Sequence, residues 1–478
     1  MSARTHAVSA LSVAGEKVTG PDLMDVVAPF SGQVIGRVPT VKGNAVLDAI
    51  TAAATAMEDG LPSYRRAEIL DLVARLLTER REDLARLLCL EVAKPLSAAR
   101  VEIDRAIQTI KFSAVEARTL TGTMIVMDGH PAGVGHSGWT IRVPIGVIGA
   151  ITPFNFPFNL AAHKIGPAIA AGCGVVVKPP RAAPLTAIAL AQAFYDAGLP
   201  PSWLSVVVGS AAELGDVLVA DPRVAMITFT GSSEIGWQLA ARAPRKHVAL
   251  ELGNSTPVII CPDADLEGAA ATLAGSAFGF AGQSCISVQR IIAHESVAEE
   301  FGALVVKAAE AKHVGDPLDE RTDVGPLIDG AATERVLDWI RQAADSGAQV
   351  SSGGTLDPGG QCVRPTVLSD VSVQDRVWVD EVFGPVASMR SYAELDEAFA
   401  LANGTQYGLQ AGIYTSSLAV ALQAAEKLRF GGVTVNETPT FRVDQMPYGG
   451  TKESGNTREG PHYTARAMTE ERMIVVGR

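Results

Sequence analysis

Cysteine is scarce in these 478 residues, and what is missing from the sequence already narrows its chemistry. The five cysteines, Cys89, Cys173, Cys261, Cys285 and Cys362, lie far apart and form neither a CxxC pair nor a Cys/His ligand spacing. That speaks against a disulfide framework and a structural zinc site; no metal is expected, and a reducing cytoplasm fits best. An excess of basic charge is missing too, since 40 Lys and Arg stand against 52 Asp and Glu for a net charge of −12, with no basic cluster. Nucleic acid and anionic membrane surfaces are therefore not the expected partners. The first twenty residues lack the apolar core of a secretory signal. The longest apolar region, 143–177, is broken by Pro144, Pro153, Pro157 and Pro167, and it carries Asn155, Asn159, His163 and Lys164, which are costly in lipid. It reads as strand, loop, helix and strand inside a folded lobe. Also missing is the glycine fingerprint usual in dinucleotide-binding folds, so any cofactor site has to be found in other pieces.

What remains is an Ala/Val/Gly-rich chain, 47% hydrophobic and 19% charged, longer than one core usually organises. Apolar residues at helical spacing run through 42–56 and 63–116, as in Ile69, Val73, Leu76 and Leu77. From Ile145 short β-branched runs alternate with Ala-rich helical stretches, and from Thr256 the alternation resumes to about Val435. Alternation of this kind predicts βαβ units in two doubly wound, mainly parallel α/β lobes.

Four fragments carry chemistry. Phe229-Thr230-Gly231-Ser232 runs from a strand into a helix start whose free N–H groups suit a phosphate, although it is also an ordinary cap. Lys178 ends the strand Val175-Val176-Val177, where open α/β sheets bind ligands and where solvated lysines are common. Glu251 closes the apolar run His247-Val248-Ala249-Leu250, and Cys285 sits in the polar turn Gly282-Gln283-Ser284-Cys285. An exposed strand-end acid and a core thiol are the plain alternatives for these two.

Taken in order, the fragments, with Thr152-Pro153-Phe154-Asn155-Phe156-Pro157, Glu381-Val382-Phe383-Gly384-Pro385 and Tyr448-Gly449-Gly450-Thr451-Lys452-Glu453-Ser454-Gly455, resemble the aldehyde dehydrogenase superfamily over most of the chain. The resemblance implies an aldehyde dehydrogenase-like fold. Its cofactor-binding domain would span 1–120 and 144–253, its catalytic domain 254–452, and its oligomerisation hairpin and strand 121–143 and 453–478. It implies Cys285 as nucleophile, Asn155 as oxyanion donor, Glu251 as general base and Lys164 as a lysine near the nicotinamide ribose. Ile151, Thr152, Pro153, Phe154, Lys178, Arg181, Gly209, Gly231, Ser232, Gly236, Leu252, Glu381 and Phe383 would line the cofactor site. NAD-preferring members often carry an acid three residues after the ribose-binding lysine; Arg181 stands there instead, which tilts the expectation from NAD toward NADP. Where the family often has Glu-Leu-Gly-Gly-Lys, this chain has Glu251-Leu252-Gly253-Asn254-Ser255.

The branch resembled holds lactaldehyde-type, phosphonoacetaldehyde-type and succinic-semialdehyde-type enzymes. Arg105, Phe156, Ser284, Ile286 and Arg442 would line the aldehyde tunnel, and the two arginines suggest a small anionic aldehyde as substrate. For each arginine a local partner is the alternative: Glu102 or Asp104 for Arg105, Asp444 for Arg442. A CoA-acylating semialdehyde dehydrogenase and an inactive structural member of the fold are the competing functions; the presence of Glu251 argues against the first and the retained thiol against the second. A homodimer or homotetramer is expected, because Met473-Ile474-Val475-Val476 would otherwise be a bare apolar edge.

Overall fold

The computed structural model describes residues 8–477. Two small antiparallel pairs, Leu11–Val13 with Glu16–Val18 and Leu23–Val27 with Val34–Pro39, precede the helices Gly43–Asp59, Ser63–Glu79, Arg81–Val92 and Leu96–Thr119. The continuous apolar pattern of 63–116 is thus cut twice. Arg80 leaves helical geometry at φ −98°, and Ala93 turns left-handed at φ 54° just before Lys94 and Pro95. Side-chain periodicity survives such breaks because the segments bury their apolar faces in one core.

The first sheet has five parallel strands in the order His247–Glu251, Val224–Thr230, Val147–Ile151, Val175–Lys178, Leu204–Val206. The chain starts in the middle, winds one way and returns to wind the other. The crevice where its direction reverses therefore opens at the carboxyl ends of Val147–Ile151 and Val224–Thr230. The connecting helix Pro157–Ala171 is buried along its whole length, with Pro157 in its first turn. It lies against Leu96–Thr119, and a Cβ on Gly166 would stand 2.7 Å from the Ser113 hydroxyl.

The second sheet has seven strands, parallel except for its edge: Gln349–Ser352, Thr366–Ser369, Val386–Tyr392, Val288–His294, Thr256–Ile260, Gln410–Tyr414, Gly432–Val435. The two hydrophobic cores divide between Leu252 and Val258. A third sheet pairs Thr469–Val476 with Ser137–Pro144 and that strand with Met124–Ile125. Residues 453–468, read from the sequence together with the terminal strand, do not join this sheet. They form the turn Lys452–Ser454 and the helix Pro461–Ala467, and fold back on the first sheet, where Gly455 bridges to Glu251. No helix among the described residues is long and apolar enough to cross a membrane.

Candidate active site

The reversal crevice of the first sheet opens into a cavity of about 620 Å³. Its wall includes Ile151, Thr152, Pro153, Phe154, Asn155, Lys178, Arg181, Gly231, Ser232, Leu252, Glu381 and Phe383. Two residues expected there are not on the wall. Gly236 faces inward, where a Cβ would meet the Leu252 side chain at 2.5 Å, and a Cβ on Gly209 would stand 2.5 Å from the Val41 carbonyl oxygen. Both glycines serve close packing behind the crevice.

The donors on this wall fit a dinucleotide. The helix Ser233–Arg242 starts at Ser232 without a side-chain cap, leaving first-turn N–H groups for a pyrophosphate. Lys178 is buried, and among the described residues its ammonium has only the neighbouring Pro179 carbonyl, at 3.2 Å. Burial and then Arg181 depress its pKa, so an anion or a ribose oxygen would be a welcome partner. The buried Thr152 hydroxyl has no partner among the described residues. Burial pushes the Glu381 carboxyl up to about 7; one of its oxygens accepts from the Asn254 N–H at 3.1 Å, and the residue can still accept from a sugar hydroxyl. Phe154 and Phe383 meet edge to face at 5.9 Å, an apolar lip at the inner end.

A second cavity, about 490 Å³, lies on the other side of Cys285. Arg105, Phe156, Ser284, Ile286 and Arg442 are all on its wall, with Tyr448 and Glu459. Thr230, Glu251, Leu252 and Cys285 border both cavities, so the thiol and the carboxylate stand where the two meet.

The thiol turn is held tightly. Phe280, Ala281 and Gly282 are all left-handed, at φ 51°, 52° and 68°. Only glycine serves at the third, because a Cβ there would stand 2.0 Å from the Gly384 carbonyl oxygen. The Gln283 amide oxygen accepts from the Ile328 N–H at 2.9 Å, and the Ser287 hydroxyl donates to the Ser276 carbonyl at 3.0 Å. Asn155 donates its amide to the Gln283 carbonyl at 3.0 Å, which aims that side chain at the Cys285 turn.

Beneath Asn155 lies a buried ion pair the sequence reading did not find. Lys94 pairs with Glu102, donates to the Asn155 carbonyl at 2.6 Å and sits 3.6 Å from the Phe156 ring centroid. Glu102 accepts from the N–H groups of Phe158 and Asn159 at 2.9 and 3.1 Å, closing the amino end of the helix Pro157–Ala171. Burial lowers Lys94 to about 8 even beside its partner.

The Cys285 sulfur lies 3.1 Å from the Tyr448 hydroxyl. Burial pushes the thiol up to about 12, with Glu381 and Glu251 adding to the rise. Burial, then the charge of Glu459, raises Glu251 well above the usual carboxylate range, and neither of its oxygens has a partner among the described residues. Glu459 goes the other way, to about 2. Burial opposes that, but His163, Lys164 and Arg442 outweigh it. Burial holds His163 itself below the usual imidazole range.

Lys164 does not line the cofactor cavity. It is buried behind the strand Val224–Thr230, donating to Thr228 and Thr230 at 3.1 and 2.8 Å, with Glu459 at 3.5 Å. Both arginines of the second cavity are paired, and not with the local acids the sequence suggested. Arg105 binds Asp444 at 2.9 Å, while Arg442 binds Glu459 at 2.8 Å and lies 3.9 Å over the Tyr448 ring. Asp104 is instead taken by Arg81 and Glu102 by Lys94.

Residues 17–474 match the family model described as the aldehyde dehydrogenase family. The chain is 41% identical over 466 residues to 3-sulfolactaldehyde dehydrogenase of Priestia aryabhattai, covering 98% of this chain and 97% of that one. Its fold is similar to aldehyde dehydrogenase 21 from Physcomitrella patens, solved with the reaction product succinate, at TM-score 0.96 and 35% identity over 99% of each chain. It is also similar to a glyceraldehyde-3-phosphate dehydrogenase from Methanocaldococcus jannaschii complexed with NADP, at TM-score 0.91 and 38% identity, over 95% of this chain and 99% of that one.

Proposed function

Because the chain belongs to the aldehyde dehydrogenase family and is an NAD(P)-dependent aldehyde dehydrogenase, we propose that it oxidises a small anionic aldehyde to its carboxylate through a thioester on Cys285. The observation that carries this reading is the meeting of two cavities at Cys285 and Glu251, one with dinucleotide donors and one with two guanidinium groups.

The Cys285 sulfur forms a bond to the aldehyde carbon as the carbonyl electrons move to oxygen. Asn155 has a second amide hydrogen beyond the one given to Gln283, and with the Cys285 N–H it holds that oxyanion. Lys178, the helix start at Ser232, Glu381 and the Phe154–Phe383 lip would hold the nicotinamide dinucleotide, which when bound supplies the hydride acceptor. Glu251 then takes a proton from water as its oxygen adds to the acyl carbon, and the carbon–sulfur bond breaks to free the thiol. A carboxylate raised by burial is a strong base once ionised, and its presence favours water over CoA as acceptor.

Arg105 supports the anionic tail. It is about one quarter exposed, and Asp444 takes only Nε and Nη2, leaving Nη1 without a protein partner among the described residues. The relatives point the same way, since sulfolactaldehyde, succinate and glyceraldehyde 3-phosphate, all named with similar proteins, are anions. Arg181, exposed at the adenosine end of the cofactor cavity, favours NADP. A homodimer or homotetramer in the cytoplasm completes the proposal.

The test is a panel of anionic and neutral aldehydes. Arg105→Leu should raise KM for an anionic aldehyde by about ten-fold or more while sparing propionaldehyde. Equal effects on both, or a native preference for neutral aldehydes, would refute the anionic substrate. Turnover by Cys285→Ala would refute the thioester.

A further inference from the structure

Burial and two nearby carboxyl groups push the Cys285 thiol up to about 12 even with the Tyr448 hydrogen bond opposing them, so the thiolate depends on every group that favours the anion. The groups around Cys285 are Tyr448, Glu381, Glu251 and Arg442. Two are acids that disfavour a thiolate, and the Arg442 cation is turned toward Glu459. Among the described residues the sulfur has one hydrogen-bond partner, the Tyr448 hydroxyl, at 3.1 Å.

Tyr448 is built for that contact. Its ring packs with Ile286 and Leu409 in a small apolar cluster against Cys285. The Arg442 guanidinium carbon lies over the ring, 3.9 Å from its centroid, and Glu459 holds the group there. A cation on the face of a phenol draws electron density from the ring and strengthens the O–H as a donor. The phenol keeps its proton, because burial and the neighbouring thiolate hold its own ionisation well above the usual range.

Resting on Cys285 as the nucleophile, we propose that Tyr448 is a further catalytic residue, donating a hydrogen bond to the Cys285 thiolate with Arg442 acting through its ring. The thiol proton passes to the Glu251 carboxylate, Tyr448 retains its own proton throughout, and the hydrogen bond is released as the sulfur electrons form the bond to carbon.

The experiment follows alkylation of Cys285 by iodoacetamide in the full-length protein as a function of pH, with the modified peptide identified by mass spectrometry because four other cysteines are present. Tyr448→Phe keeps the ring, its packing and the Arg442 contact. It should shift the midpoint upward and slow alkylation at neutral pH about ten-fold or more, the scale of a hydrogen bond to a charged group. Cofactor binding, read by quenching of protein fluorescence, should stay unchanged. An unmoved midpoint overturns the proposal, including the case in which only KM rises, which would make Tyr448 a substrate-packing residue. If Cys285 in the native protein resists alkylation while Cys285→Ala still turns over, the nucleophile reading fails and the Tyr448 role with it.

Discussion

Lys94 and Glu102 form a buried ion pair whose two ends reach two different parts of the loop that carries Asn155. The ammonium holds the Asn155 carbonyl, and the carboxylate holds the N–H groups of Phe158 and Asn159 at the start of the following helix. Removing one partner of such a pair strands a charge in the interior and costs about 3–5 kcal/mol. Lys94→Met should therefore lower the melting temperature sharply and reduce kcat. Lys94→Met combined with Glu102→Gln should recover much of the stability without recovering kcat, because the Asn155 carbonyl stays unheld. Calorimetry and steady-state rates on the three variants check this; recovery of both together would make the pair purely structural.

The raised Glu251 sets the direction of the pH dependence. Its carboxyl gives up its proton at a higher pH than an ordinary glutamate, so the rate of thioester hydrolysis should climb with pH until the carboxyl is ionised. Stability runs the opposite way. A group whose folded pKa lies above its unfolded value stabilises fully below the unfolded pKa, and that contribution is lost as pH rises through the folded one. Glu251→Gln should flatten the alkaline limb of the rate profile and raise the melting temperature more at alkaline than at acidic pH. A profile that keeps its slope in the variant would assign that slope to another group.

Arg181 and Lys178 stand together at the adenosine end of the cavity. Arg181→Glu should raise the ratio of KM for NADP to KM for NAD by about ten-fold or more, since it replaces attraction for a 2′-phosphate with repulsion. An unchanged ratio in paired assays would remove Arg181 from cofactor choice.

Met473, Val475 and Val476 lie between 44% and 52% exposed on one edge strand of the third sheet, and Met124 and Val126, at 75% and 79%, lie at its other edge. An apolar edge of that kind calls for a cover. Light scattering at micromolar concentration should give at least a dimer, and Met473→Asp with Val475→Asp should shift it to a lighter species. A monomeric native protein would end this reading.

The two doubly wound, mainly parallel lobes were legible from the alternation of strand and helix patterns, and the four fragments around Lys178, Phe229–Ser232, Glu251 and Cys285 were legible because each is local: a strand or turn and one functional side chain within a few residues. Charge pairing was not. Arg105 looked for a partner on its own helix, yet Asp444 lies 339 positions away, and Arg442 passed over Asp444 for Glu459. Sequence proximity does not say which way a side chain points once the two lobes close. Lys94 and Glu102 were invisible for the same reason, since a lysine before a proline and an acid on a helix give no sign that they meet under a loop 61 residues on. Tyr448 did fall in a fragment that carried the family resemblance, and Glu459 in the stretch just after it. Their approach to Cys285 and to Lys164 needed the fold.

The return of the chain from Arg442 to Glu459 bears on biosynthesis. The Gly455 bridge to Glu251, the Ser454 hydroxyl on the Gly253 carbonyl, Tyr448 on the sulfur and Glu459 against Lys164 all join residues roughly 160 to 300 positions apart. A ribosome will have released both parallel sheets before any of these contacts can form. The site around Cys285 and Glu251 therefore stays unassembled in the nascent protein until residues 442–459 have emerged.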